Sequence, residues 1–135
     1  VLLCAVGSLI QYGTLNPKVF LGPSDEFFRS LDKDPYQIKY NFQVWRLITP
    51  IILHSGLVHM AMNVISQLIF GSLLEMMIGT RKMALFYLAC GIGGNLLGAL
   101  YSDDPSVGAS TAVFGIFTGQ IAMIMVNWHA LSQHP

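Results

Sequence analysis

Charged side chains are scarce in this chain: seven Lys or Arg and seven Asp or Glu make up 10% of its 135 residues. Ordinary soluble domains carry about 25% charged residues. This deficit, together with 53% hydrophobic residues, favours a membrane protein over a soluble one. The charges cancel to a formal net charge of zero, so no basic surface indicates nucleic acid as a partner.

Cysteine is scarce as well, since Cys4 and Cys90 are the two in the sequence and both lie in apolar runs. Buried free cysteine behaves as a small hydrophobic residue, so we interpret both as packing residues rather than a disulfide or metal pair. His54 and His59 stand five residues apart, which would point them to different faces of a continuous helix. With no Cys or carboxylate beside them, the sequence indicates no metal site, and no organic cofactor is implied.

Four apolar segments predict an all-α, polytopic membrane helix bundle. We place the spans at about residues 1–15, 56–77, 83–101 and 111–128, and 22 residues at 1.5 Å each cover about 33 Å, enough to cross a bilayer. The connection over residues 16–55 is rich in aromatic side chains, which prefer the headgroup region. The chain begins at Val1 inside an apolar run. We therefore expect residues 1–135 to be part of a longer, multi-pass integral membrane protein, with its membrane, orientation and oligomeric state left open.

Ser110 is the strongest candidate for a catalytic residue. It follows Gly108 with one residue between them, where a polar loop enters an apolar segment. Glycine lets the backbone approach a substrate closely, and a helix start aims unpaired N–H groups and a positive dipole end at a developing oxyanion. The alternative is a serine that caps the helix N-terminus and has no catalytic role.

His59 and Asn63 are the candidate oxyanion donors. Four residues apart at the start of an apolar segment, they share one helical face, and one such donor contributes roughly 3 kcal/mol to a transition state. The alternative is a polar pair that bonds across helices. Because one span separates their helix from that of Ser110, both helices begin on the same side of the membrane. Span parity therefore predicts that the three side chains lie at one depth.

Two further patterns concern packing. Trp45-Arg46 reads as an interfacial anchor and a loop tie in which Arg46 bonds backbone carbonyls, or else as an ordinary membrane-surface pair. Gly94-x-x-x-Gly98 and Gly115-x-x-x-Gly119 offer flat faces for close helix contact.

In their order and spacing these residues resemble the rhomboid intramembrane serine proteases, from about Trp45 to Gly119. The motifs are Trp45-Arg46, His54, His59, Asn63, Glu75 with Gly79 and Arg81-Lys82, the span containing Gly91–Gly98, and Gly108-Ala109-Ser110. The resemblance implies a bundle of six or more spans, about four of them present, that cleaves transmembrane protein substrates within the lipid bilayer. It implies Ser110 as nucleophile and His59 and Asn63 as oxyanion-hole residues. Gly108, Trp45, Arg46 and His54 match supporting motifs of the family.

Two departures from the family pattern stand out. Thr111 occupies a position where many members have glycine, which crowds the start of the helix. The family's general base is a histidine on the sixth span, and His129 lies about 28 Å from Ser110 along a continuous helix, too far to replace it. We therefore expect the sequence as given to be inactive. The alternative function is a catalytically inactive rhomboid-like protein that binds transmembrane clients, although such a protein has no need of Ser110, His59 and Asn63 together.

Overall fold

The computed structural model describes residues 15–16 and 22–133 of the chain. The predicted first span, residues 1–15, therefore lies outside the described residues except for Leu15. Leu15–Asn16 (β1) and Gly22–Pro23 (β2) pair as two short antiparallel strands. Helices dominate the rest of the described chain.

The connection between the first two predicted spans contains short helical elements. They are α1 (Asp25–Leu31), α2 (Pro35–Asn41) and two 3₁₀ turns (Val44–Leu47 and Thr49–Ile51). The Ser24 hydroxyl accepts a hydrogen bond from the Phe27 N–H at 3.3 Å, and the Asp34 carboxylate accepts one from Gln37 at 3.1 Å. These side chains satisfy N–H groups that a helix start leaves unpaired, so each helix begins at a residue suited to cap it.

A long apolar helix follows, and a π-helical turn interrupts it. Its parts are α3 (Leu57–Ser66), the π turn (Gln67–Gly71) and α4 (Ser72–Ile78). Asn63, Gln67, Gly71 and Leu74 are buried along it. Steps of four residues drift around an α-helix, which has 3.6 residues per turn. The wider π turn reduces that drift and keeps the buried positions on one side.

Two more long helices follow, α5 (Thr80–Tyr101) and α6 (Ser110–Val126), and then a short helix, α7 (Trp128–Ser132). The segments Leu57–Ile78 and Thr80–Tyr101 are each long and apolar enough to cross a membrane, whereas Ser110–Val126 is a shorter apolar helix. Large apolar side chains such as Leu85 and Phe114 are exposed, as expected where lipid rather than water surrounds a helix. The predicted helical membrane fold is confirmed.

Glycines bring α5 and α6 into close contact. A methyl group at Gly119 would lie 2.9 Å from Cζ of Phe86, and one at Gly115 would overlap Cys90. The predicted face of Gly115 and Gly119 thus packs against α5. Gly98 differs from the prediction because it faces the Lys33 side chain of the long connection, whose Nζ would lie 2.9 Å from an added methyl group.

Candidate functional site

A cavity of about 430 Å³ lies between α3 and α6. It contains the predicted nucleophile and both predicted oxyanion residues. Its lining residues are His59, Met62, Asn63, Ser66, Phe70, Ser110, Val113, Phe114 and Phe117. The structure therefore brings Ser110, His59 and Asn63 to a single, mostly apolar cavity.

Ser110 is the first residue of α6, and Ala109 occupies the N-cap position without a side-chain cap bond. The Ser110 hydroxyl is thus not the helix cap that the alternative interpretation required. The earliest backbone bond at this end runs from the Val113 N–H to the Ala109 carbonyl, at 2.9 Å. Backbone N–H groups of a first helical turn have no partner within the helix, so the Ser110 N–H is a donor available beside its own hydroxyl.

Gly108 lies between the imidazole of His59 and the hydroxyl of Ser110. Its φ is +123°, a conformation that favours glycine, and its N–H donates to the Pro50 carbonyl at 2.9 Å. A methyl group added there would lie 2.8 Å from Nε2 of His59 and 3.7 Å from Oγ of Ser110. The glycine therefore allows the imidazole and the hydroxyl to lie on either side of one narrow space.

His59 and Asn63 are linked to each other through the helix backbone. Nδ2 of Asn63 donates to the His59 carbonyl at 2.9 Å, and Asn63 is buried. A side-chain amide has two N–H donors on that nitrogen, so the same group has a second donor. One bond therefore fixes the orientation of the carboxamide beside the cavity.

Ser55 is a neighbour of His59 that the sequence interpretation missed. Its Oγ lies 2.9 Å from Nδ1 of His59, and its backbone N–H donates to the same nitrogen at 3.4 Å. Helical spacing gave no signal for this contact, because Ser55 lies in the loop before α3 begins at Leu57.

His54 is fully buried, and its ring meets the ring of His59 edge-on with centroids 5.4 Å apart. The expectation that the two rings point to different faces was wrong, because the helix begins only at Leu57 and His54 belongs to the preceding loop. Burial, with a smaller contribution from the nearby His59, lowers the pKa of His54 to about 4, and a backbone hydrogen bond with Ile52 opposes part of that shift. The His54 ring is therefore neutral near pH 7 and packs as an uncharged support.

Arg46 holds the long connection together through hydrogen bonds to backbone carbonyls, as predicted. Trp45 beside it is half exposed. Nη1 of Arg46 donates to the carbonyls of Arg29 at 3.0 Å and Asp32 at 2.9 Å. It also donates to the Asp32 carboxylate at 2.7 Å. Burial raises the pKa of Asp32, and the Arg46 guanidinium counteracts part of that rise. The carboxylate was missed because it lies 14 residues away, on the other side of α2.

The same connection also holds the loop that leads into Ser110. Lys33 and Ser106 exchange two backbone hydrogen bonds of 2.9 and 3.0 Å. Nζ of Lys39 lies 3.0 Å from the Asp103 carboxylate. The loop that precedes Ser110 is therefore held against the segment that the hydrogen bonds of Arg46 order.

Thr111 is accommodated by α5. Its Cβ would lie 2.9 Å from a methyl group added at Gly94, and Thr111 is absent from the residues that line the cavity. The predicted crowding therefore falls on the α5–α6 contact, where Gly94 leaves room for it, and not on the cavity.

The chain is similar to proteins of one family. A family model described as "Rhomboid domain" matches residues 41–135. RHOMBOID-like protein 6, mitochondrial, of Arabidopsis thaliana is 37% identical over 120 residues, which are 87% of this chain and 39% of that protein. Rhomboid-like protease 3 of Toxoplasma gondii is 43% identical over 94 residues, 69% of this chain and 36% of that protein.

Rhomboid protease GluP of Bacillus subtilis is 40% identical over 83 residues, which are 62% of this chain and 16% of that protein. The chain thus spans about two fifths or less of the length of these relatives. No solved structure matches the chain. The resemblance that the motifs predicted is confirmed.

Proposed function

This chain belongs to the rhomboid family, and we propose on that premise that the full-length protein is an intramembrane serine endopeptidase. It is a multi-pass membrane protein that cleaves transmembrane-anchored protein substrates. Two of its relatives are named as proteases. The observation that carries the proposal is the shared cavity, because Ser110, His59 and Asn63 all line it.

Ser110 is the nucleophile in this proposal. Its Oγ forms a bond to the carbonyl carbon of the scissile peptide, and its proton passes to a general base. A serine hydroxyl is a weak nucleophile without such a base. The family resemblance assigns that base to a histidine of a later span, which then gives the proton to the leaving amine. Water hydrolyses the resulting ester and restores the hydroxyl.

Three donors surround the oxygen that becomes negative during the attack: the Ser110 N–H, Nε2 of His59 and Nδ2 of Asn63. Donors that are already oriented stabilise the transition state without reorganisation, and the loss of one costs about 3 kcal/mol. The hydrogen bond from Asn63 to the His59 carbonyl and the contact between His59 and Gly108 provide that orientation.

The cavity wall supports an apolar substrate segment. Met62, Phe70, Phe114 and Phe117 line it, and Phe114 is 69% exposed. A side chain exposed at this face of α6 is available to contact a transmembrane helix that approaches through lipid. His59, Asn63 and Ser110 supply polar groups to the same cavity, where an unwound peptide bond and the hydrolytic water must meet.

A fluorophosphonate probe tests the proposal on the full-length protein in detergent micelles. We expect the wild-type protein to be labelled, to lose labelling in Ser110→Ala, and to retain it in Ser72→Ala. Ser72 is a matched control because it lies on Leu57–Ile78, the helix that carries His59 and Asn63, outside the cavity of Ser110, and its hydroxyl donates to the Leu68 carbonyl. Cleavage of a transmembrane reporter substrate should follow the same pattern. An unlabelled wild-type protein that still copurifies with a transmembrane client would refute proteolysis and favour client binding.

A further inference from the structure

We propose that Ser55 is a positioning residue that holds His59 in the tautomer whose proton is on Nε2, the nitrogen beside the Ser110 loop. The inference rests on the proposed function, because it assigns His59 the role of donor to the oxyanion. It concerns a residue of the loop before α3, outside the motifs that indicated the site.

The geometry at Nδ1 carries the inference. The backbone N–H of Ser55 donates to Nδ1 of His59 at 3.4 Å, and the Ser55 hydroxyl lies 2.9 Å from the same nitrogen. A backbone N–H is a donor only, so the nitrogen that it faces has to be an acceptor. In a neutral imidazole one nitrogen accepts and the other carries the proton. Nδ1 as acceptor therefore leaves the proton on Nε2.

Nε2 is the nitrogen that faces the reaction site. A methyl group added at Gly108 would lie 2.8 Å from Nε2 and 3.7 Å from Oγ of Ser110. The partner of one ring nitrogen sets which nitrogen is protonated. With the opposite tautomer, a lone pair would face the developing negative charge, and the donor would be lost.

The Ser55 hydroxyl contributes the shorter of the two contacts at Nδ1. Its removal leaves the backbone N–H in place, so the tautomer preference weakens without disappearing. A single neutral hydrogen bond makes a modest net contribution, and Ser55 is exposed. We therefore expect Ser55→Ala to lower kcat by roughly two- to fivefold. KM should stay unchanged, because the oxyanion donor acts in the transition state.

The test compares Ser55→Ala, Ser55→Thr and Ser72→Ala in the full-length protein, with kcat and KM measured on a transmembrane reporter. Ser55→Thr keeps the hydroxyl and should restore kcat, and Ser72→Ala should match the wild type. Nitrogen-15 NMR of the histidine-labelled protein reads the tautomer of His59, whose signal is assigned with His59→Gln. We expect the Nε2–H tautomer in the wild type and a mixture of tautomers in Ser55→Ala.

An Nδ1–H tautomer in the wild type, or a Ser55→Ala protein with unchanged kcat and unchanged tautomer, would overturn the positioning role. Fluorophosphonate labelling that survives Ser110→Ala and disappears in Ser55→Ala would also overturn it, because Ser55 would then be the nucleophile. Failure of the proposed function has a different signature. In that case Ser110 is not labelled, whereas the NMR measurement still determines the tautomer of His59.

Discussion

Gly108 lies against the imidazole of His59 so closely that a methyl group on Gly108 would meet Cε1 of the ring at 2.7 Å. The ring of His54 contacts the same imidazole edge-on. The position of His59 is therefore set by groups from two loops, one before α3 and one before α6, as well as by its own helix.

Gly108→Ala should displace His59 and lower activity. The added methyl group overlaps the imidazole, and a side chain at φ +123° adds about 1–3 kcal/mol of backbone strain. We expect at least a tenfold loss in the rate of fluorophosphonate labelling and a lower midpoint of thermal unfolding. Gly93→Ala is the matched control, because a methyl group there meets nothing within 4 Å. Equal labelling rates in the two variants would contradict the close contact.

Arg46→Ala should destabilise the protein strongly. It leaves the buried Asp32 carboxylate without its guanidinium, and the removal of one partner of a buried pair typically costs about 3–5 kcal/mol. Lys39→Ala removes an ion pair whose Asp103 side chain is 96% exposed and should change stability little. Thermal unfolding in micelles measures both variants. Similar midpoints for the two would show that the Arg46 tie is dispensable.

Ser106→Pro should slow the reaction by loosening the loop before Ser110. Proline has no N–H, so the hydrogen bond from Ser106 to the Lys33 carbonyl is lost. Ser106→Ala keeps that N–H and should behave as the wild type. We expect a severalfold lower labelling rate in the proline variant alone. An equal loss in both variants would assign the effect to the hydroxyl instead.

Stability should fall as the pH drops from about 6.5 to about 4 because of His54. Its pKa is 6.5 in the unfolded chain and about 4 in the folded protein, so the unfolded state binds the extra proton in this range. The contribution is complete above pH 6.5 and decreases by up to about 3 kcal/mol by pH 4. Unfolding midpoints across this range should be flatter in His54→Gln. Parallel curves for the two proteins would rule out a neutral buried His54.

Helix periodicity and span order were enough to anticipate that His59, Asn63 and Ser110 lie together. An i, i+4 spacing puts the first two on one helical face, and one intervening span returns α6 to the same side. Features set by loop geometry were not accessible in this way. Ser55 contacts Nδ1 of His59, and the Asp32 carboxylate pairs with Arg46. Both contacts depend on how the loops of the long connection fold back on the rest of the chain.

Predictions from the sequence were wrong where they assumed regular helical structure. His54 was treated as part of a continuous helix, but the chain turns at Gly56 before α3 starts. Gly98 was assigned to helix packing by its spacing from Gly94, and the Lys33 side chain occupies that space instead. Both errors arise at the long connection, whose fold depends on contacts distant in sequence.

The π turn at Gln67–Gly71 joins the two halves of its helix and fixes the rotation of one half relative to the other. In the half before the turn, His59 and Asn63 face the cavity. In the half after it, Leu74 is buried in the core. Over the same rotation a π turn holds about one residue more than ordinary α-helix, so deletion of the exposed Leu68 would close the turn into α-helix and leave the two halves close to their present rotation. A deletion elsewhere in this helix would instead rotate one half by about 100° relative to the other. The π turn is therefore where this helix best tolerates the loss of a residue.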